Sequence, residues 1–211
     1  MSDSGTSAKV DQPATPGQSA PRPDDVGTIA RDWWRSLQPD TQLRRPGERA
    51  ALARLRRASP LEAAMQEATF RLFRQLRKVR PGLSQRDLPR VATLATLLAH
   101  IRADDPRTPF ARAIGRTEFD KGDSAALKPL RFERLVAADG EDEIARAFRR
   151  AIAILGGTVN VVDLARTVFY FDREETRRNL AFAYYGAGFA APAHTDARPG
   201  TKDGQPDPAA S

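Results

Sequence analysis

The sequence predicts an all-α protein, a helical bundle of about eight or nine helices, on three observations. Apolar residues recur at three- and four-residue spacing through nearly the whole middle of the chain, no convincing run alternates as a strand does, and helix start and stop signals recur along it. The two ends differ from that middle. Residues 1–25 and 192–211 are built of Pro, Gly, Ser, Thr, Ala and Asp with almost no large apolar side chains. They cannot offset the entropy of ordering and are expected to be disordered tails. The stretch 26–191 suffices for one domain with a real core, or for two small helical lobes, roughly 26–105 and 106–191, sharing a seam.

Taken in order, Trp33 and Trp34 are adjacent, so at most one is expected to face fully inward. The other becomes a candidate for packing on a partner protein or for a local hydrophobic staple. Pro46 suits the first position of a helix carrying Leu52 and Leu55. Ser59, Pro60 and Glu62 make a capping box that opens one long helix with the stripe Leu61, Met65, Ala68, Leu72, Leu76 and Val79, ended by Pro81 and Gly82. Ser84 or Asp87 starts a helix burying Val91, Leu94, Ala95, Leu98 and Ile101, which stops near Asp104, Asp105 and Pro106. A short helix follows over Phe110 to Ile114, then a polar loop from Gly115 to Ala126. After Pro129 come helices over Arg131 to Ala138 and Asp142 to Leu155, the second closed by Gly156 and Gly157, which suit a left-handed cap. Asn160 caps a helix with Val161, Leu164, Ala165 and Val168 inward. Asp172 with Glu175 opens the last, which ends at Gly186.

Charge carries the functional signal. Of the 34 basic residues 29 are arginine, and the net charge is +7. Setting aside the four basic and seven acidic tail residues raises the charge of the middle to +10, so the positive charge belongs to the folded part. The arginines cluster at helical spacing: Arg54, Arg56 and Arg57; Arg131 with Arg134; Arg146 with Arg149 and Arg150; Arg173 with Arg177 and Arg178. In the helix after Asp142, Ile144, Phe148, Ala151, Ile152 and Leu155 fall on one side, and the three arginines fall opposite. Arg71, Arg74 and Lys78 make a further ridge. A guanidinium pairs with phosphate oxygens through two hydrogen bonds and stacks on bases, whereas lysine acts more nearly as a point charge. Any single charged helix face is commonly just a solvated face; several such faces in one basic globule point to a polyanion. In the last helix Arg178, Phe182 and Tyr185 share a side, which would suit nucleic acid. Aromatic area is the main content of cores, however, so the two rings are expected to pack against another helix.

Catalysis finds little support, and no catalytic residue, metal site or cofactor is expected. With no cysteine, disulfides, thiolate metal sites and cysteine nucleophiles are excluded. His100 and His194 are the two histidines, and neither has a partner at metal-ligand spacing. Asp104 and Asp105 sit at a helix end and Asp139 with Glu141, Asp142 and Glu143 at a helix start, where carboxylates complement the dipole, and both groups are read as structural. Gly156, Gly157 and Thr158 follow a helix and lack the lysine of a phosphate loop. The acidic, polar N-terminus is unlike a signal peptide, and the longest apolar stretch, near Val91 to Ile101, is too short to span a bilayer. A soluble cytoplasmic protein with no membrane partner is the expectation.

Certain motifs then fall in a recognisable order. Trp33, Trp34, Arg35 and Leu37 precede Arg49, Ala50, Leu52, Ala53, Arg54, Leu55, Arg56 and Arg57, and then Phe70, Arg71 and Leu72. Arg112, Ala113, Ile114 and Gly115 are followed by Leu130, Arg131, Phe132, Arg134 and Leu135. Arg149, Arg150, Ala151, Val159, Asn160, Leu164 and Ala165 lead to Arg178, Ala181, Tyr184, Tyr185 and Gly186. From about Ile29 to Gly186 this order resembles the CasB family, the small subunit of the type I-E CRISPR Cascade complex of antiviral defence. The resemblance implies an all-α, non-enzymatic subunit present as paired copies, packed against the backbone subunits and the large subunit. It also implies a basic surface that steadies the R-loop, contacting the CRISPR RNA guide and the target DNA and giving the displaced strand a path. Arg56, Arg57, Arg131 and Arg134 are its first candidates, and Arg149, Arg150, Arg166 and Arg178 its second. The proline-rich tails fall outside the family pattern.

Overall fold

A computed structural model describes residues 26–39, 46–115 and 124–186. Both expected tails, His194 and most of the predicted polar loop lie outside the described residues. Ten α-helices are found among those residues: α1 (Val26–Leu37), α2 (Arg49–Arg57), α3 (Pro60–Ala64), α4 (Glu67–Val79), α5 (Leu88–Ala99), α6 (Phe110–Ile114), α7 (Pro129–Val136), α8 (Gly140–Ile154), α9 (Val161–Phe169) and α10 (Glu174–Tyr184). The all-α expectation holds.

The organising element is α5. Every residue from Val91 to Ala99 is buried, and a helix that is apolar all round has to be enclosed by others. Its two buried threonines include Thr96, whose hydroxyl donates to the Thr93 carbonyl at 2.8 Å. Helices α2, α3, α4, α8 and α9 pack around it, while α1 lies along α9 and α6 against α10. One connected cluster of buried side chains runs from Val26 to Tyr184. Its aromatic part stacks Phe110 on Phe148 at 5.5 Å and Phe132 on Tyr184 at 3.7 Å between ring centres.

Several expectations need correction. The predicted long helix is two: Ser59 and Glu62 do form the capping box, but α3 stops after one turn and Gln66, in extended conformation, restarts the chain as α4. The break leaves Leu61 and Met65 exposed, at 76% and 71%, instead of in the stripe, whose buried members are Ala68, Leu72 and Leu76, with Val79 half-buried. It lets α3 lie on α5 while α4 turns to meet both α1 and α5. Pro46 does not open α2; Gly47, at φ +69°, and Glu48 intervene. Both tryptophans are buried, because α1 is covered on more than one side, by α4 and by α9. Trp33 donates its indole N–H to the Ala68 carbonyl at 3.0 Å. Asp172 is not the cap of α10, which starts after Arg173; its carboxylate pairs with Arg90 at 2.9 Å.

One small piece of parallel sheet occurs where the sequence offers no strand pattern. β1 (Ala103–Asp104) pairs with β2 (Thr158–Val159), with Ala103 opposite Thr158. Arg102 N–H adds a 2.8 Å bond to the Gly157 carbonyl. This splice ties the segment leaving α5 to the turn leaving α8, and so brings the carboxyl ends of both helices together.

Candidate nucleic-acid interface

Local sequence explains where the arginines emerge. In α2, Ala51, Leu52 and Leu55 are buried, so Arg54, Arg56 and Arg57 leave on the opposite face, in the last turn where cations suit the helix dipole. In α7, Phe132 and Leu135 point inward and Arg131 and Arg134 outward. Neither of those two guanidiniums meets a carboxylate among the described residues. In α8, Arg146 and Arg150 are exposed, and Arg146 bonds back to the Asp142 carbonyl at 3.2 Å. Arg166 is exposed on α9, with its stem lying over Gly27 of α1. Arg178 on α10 forms a loose ion pair with Glu174 at 3.7 Å.

In the fourth predicted cluster Arg173 and Arg178 are exposed, whereas Arg177 is half-buried and spent on structure. Arg177 donates Nε to the Phe171 carbonyl at 2.9 Å and its two Nη groups to the Val136 and Ala138 carbonyls at 3.1 and 3.2 Å, while lying over the Phe171 ring. It closes the end of α7, whose last carbonyls lack helical partners. Arg173 lies 4.3 Å from the centre of the Tyr170 ring. Of the ridge on α4, Arg71 is half-buried and held by Glu48, which raises its pKa further above the ordinary arginine value. Aromatic placement also differs from expectation. Tyr185 packs edge-on against Phe132 and Tyr184, but Phe182 is 54% exposed, one turn beyond Arg178, and Leu130, next to Arg131, is 59% exposed.

Two predicted residues from distant helices do come together. Arg56 reaches over the end of α5 and donates Nε to the Ala99 carbonyl at 2.6 Å. Arg149 is half-buried beside the same end, so it does not share the fully outward face of Arg146 and Arg150. Between them sits His100. Burial, then the charges of Arg149 and Arg56, hold its imidazole below the ordinary histidine range, against a hydrogen bond to the Arg56 backbone. His100, Arg102, Arg149, Ile152 and the Gly156–Gly157 turn line a recess of about 210 Å³. His100 Nε2 and Arg149 Nε are both shielded from solvent and without a hydrogen-bond partner. Arg102 and His100 carry no functional signal in the sequence; the β1–β2 splice, which no local pattern marks, brings them here.

The acidic groups serve structure. Asp104 accepts the Val161 N–H at 3.1 Å and pairs with Arg35 at 3.6 Å. Asp163, pushed upward in pKa by burial, accepts the Phe110 N–H at 2.7 Å and so joins α9 to α6. Glu141, Asp142 and Glu143 occupy the first turn of α8. Among the described residues no group of His, Asp and Glu could hold a metal ion, and no helix is long and apolar enough to cross a membrane.

Fold and surface together define a class: a small all-α protein whose exposed cations are mainly arginines carried on separate helices around one buried rod. Within that class, the chain belongs to the family of the CRISPR-associated protein Cse2, whose model matches residues 51–185. Its fold is similar to that of a CRISPR-associated protein of the Cse2 family from Thermus thermophilus. Identity there is 23%, the match covers 77% of this chain and 99% of that one, and the TM-score is 0.52. It is also similar to CasB from Thermobifida fusca, at 22% identity and TM-score 0.58, over 79% of this chain and 98% of that one. No curated protein matches the sequence. The resemblance to CasB read from the motif order is thus upheld.

Proposed function

We propose that this chain is the non-catalytic small subunit of a type I-E Cascade effector and that it stabilises the R-loop through its arginine surface. In this reading it acts in the cytoplasm beside the backbone and large subunits, paired with a second copy of itself, and touches CRISPR RNA and target DNA. Family membership supports the assembly. The observation that carries the nucleic-acid part is the set of exposed guanidiniums on α2, α7 and α8, with Arg131 and Arg134 free of carboxylate partners among the described residues. Opening a duplex on a guide exchanges one helix for another of similar stability, so modest contacts to backbone phosphates tip the balance. Such contacts read charge and strand geometry and carry no base-specific readout.

The test is target binding by the reconstituted effector with R131A/R134A. Affinity is expected to fall and its dependence on salt to become shallower. Unaltered affinity with unaltered salt dependence removes these two residues from the path, and associations that survive nuclease treatment would point to acidic protein surfaces instead.

A further inference from the structure

We propose that the recess where the carboxyl ends of α5 and α8 meet is a seat for a single phosphate group, gripped by Arg149 and Arg102 with His100 in its lining. The inference rests on the nucleic-acid reading above only for whose phosphate it is.

Size comes first. At about 210 Å³ the recess is smaller than the ~300–1,000 Å³ of ordinary small-molecule pockets and has ample room for a phosphate group. Its lining is cationic without being neutralised: neither Arg102 nor Arg149 pairs with a carboxylate among the described residues, and the charge of Arg56, outside the lining, is felt at His100. Two shielded nitrogens, Arg149 Nε and His100 Nε2, lack partners, and a buried polar atom of that kind is costly unless something bonds it. A tetrahedral oxyanion supplies an acceptor to Arg149 Nε, and to His100 Nε2 once the imidazole is protonated.

Helix carboxyl ends ordinarily repel an anion. Here the carbonyls are already occupied: Ala99 by Arg56, Ile152 by Gly157 N–H at 2.9 Å, Ala153 by Gly156 N–H at 3.0 Å, and Gly157 by Arg102 N–H. Gly156 and Gly157, at φ 65° and 81°, make the turn that allows this, and a Cβ on Gly157 would lie 3.1 Å from the Arg102 stem.

The seat couples to pH. The charges felt by His100 are Arg56 from α2 and Arg149 from α8, and Arg102 lines the same recess. The acids on other elements around α5 are engaged elsewhere: Glu62 of α3 with Ser59, Asp163 of α9 with Phe110, Asp87 with Ser84, and Glu67 of α4 near Arg71. An arriving phosphate offsets the guanidinium charges and favours the imidazolium, so binding takes up a proton.

The experiment uses the full chain with two probes: a short labelled oligothymidylate, and inorganic phosphate alone. Oligonucleotide affinity is expected to rise as pH falls from about 8 to about 5.5. H100Q should flatten that slope, and R149Q should cost about tenfold in affinity. In nuclear magnetic resonance titrations, with H194Q separating the two histidines, inorganic phosphate should raise the His100 titration midpoint in the wild type but not in R149Q or R102Q. The seat is overturned if H100Q keeps the wild-type slope, or if phosphate leaves the His100 midpoint unmoved. In those cases weaker oligonucleotide binding by R131A/R134A would still uphold the nucleic-acid reading. If no oligonucleotide binds at any pH while phosphate still moves His100, the nucleic-acid reading fails and the seat stands as a site for free phosphate. The wild-type phosphate titration decides the matter even if H100Q does not fold.

Discussion

Removing the Arg177 side chain strands three carbonyls at once, at the end of α7 and in the turn before α10. R177A is expected to cost about 2–4 kcal/mol in urea unfolding while leaving the oligonucleotide affinity of the folded fraction unchanged. R177K should recover little, because an ammonium cannot reproduce the planar fork. His100 makes a second residue-scale prediction. Its folded pKa lies below the unfolded value of about 6.5, so as pH falls through 6.5 the unfolded chain takes up a proton that the folded one resists. Stability of the free protein should therefore decline on acidification below pH 6.5, down to the folded pKa, and H100Q should remove that part of the pH dependence. At this scale the sequence discloses what is local. The Ser59–Glu62 box and the Asn160 cap rest on partners three residues away. Whether Arg177 meets water or a carbonyl depends on a strand of chain some forty residues earlier, which spacing alone does not encode.

Element boundaries were legible where Pro, Gly or a capping side chain marks α6 and α9 and the Gly156–Gly157 end of α8, but α8 starts at Gly140, two residues before Asp142, and the fold does not use Pro46 or Asp172 as the markers they resemble. The split of α3 from α4 was not, because no Pro or Gly stands between Ala64 and Glu67; tertiary packing on α5 and α1 outweighs the continuous local pattern. Close helix approach is equally hidden in a single sequence. Gly27 sits where α1 meets α9, and a Cβ there would fall 2.6 Å from the Val162 carbonyl oxygen and 2.7 Å from its Cγ1. A carbonyl of the backbone cannot swing aside, so G27A should force the two helices apart and cost about 1–3 kcal/mol, seen as a lower thermal midpoint. An alanine is otherwise favoured in a helix by up to about 1 kcal/mol, so a loss of stability would be a direct sign of that contact.

For the molecule as a whole, the fold class and the positive character of the middle were plain from periodicity and composition, whereas the convergence of Arg56 from α2 and Arg149 from α8 on His100 was not. Charge sets the expected response to salt: a surface engaging about six phosphates should lose roughly a thousandfold in affinity between low and moderate salt. On a single strand, deleting Arg131 and Arg134 should reduce the logarithmic salt slope by about 1.4, measured by fluorescence anisotropy at several ionic strengths. The partnership of α1 with α9 reaches further, into synthesis. The hundred-odd residues between Leu37 and Val161 leave the ribosome at about 5–20 per second, so α1 waits roughly 6–25 s for the helix it lies against. Trp33 can find Ala68 sooner, but the α9-facing side of α1 remains wet throughout that interval. Birth of this protein thus closes from its last third backwards, and a nascent chain stalled short of Val161 should present an apolar stripe to chaperones.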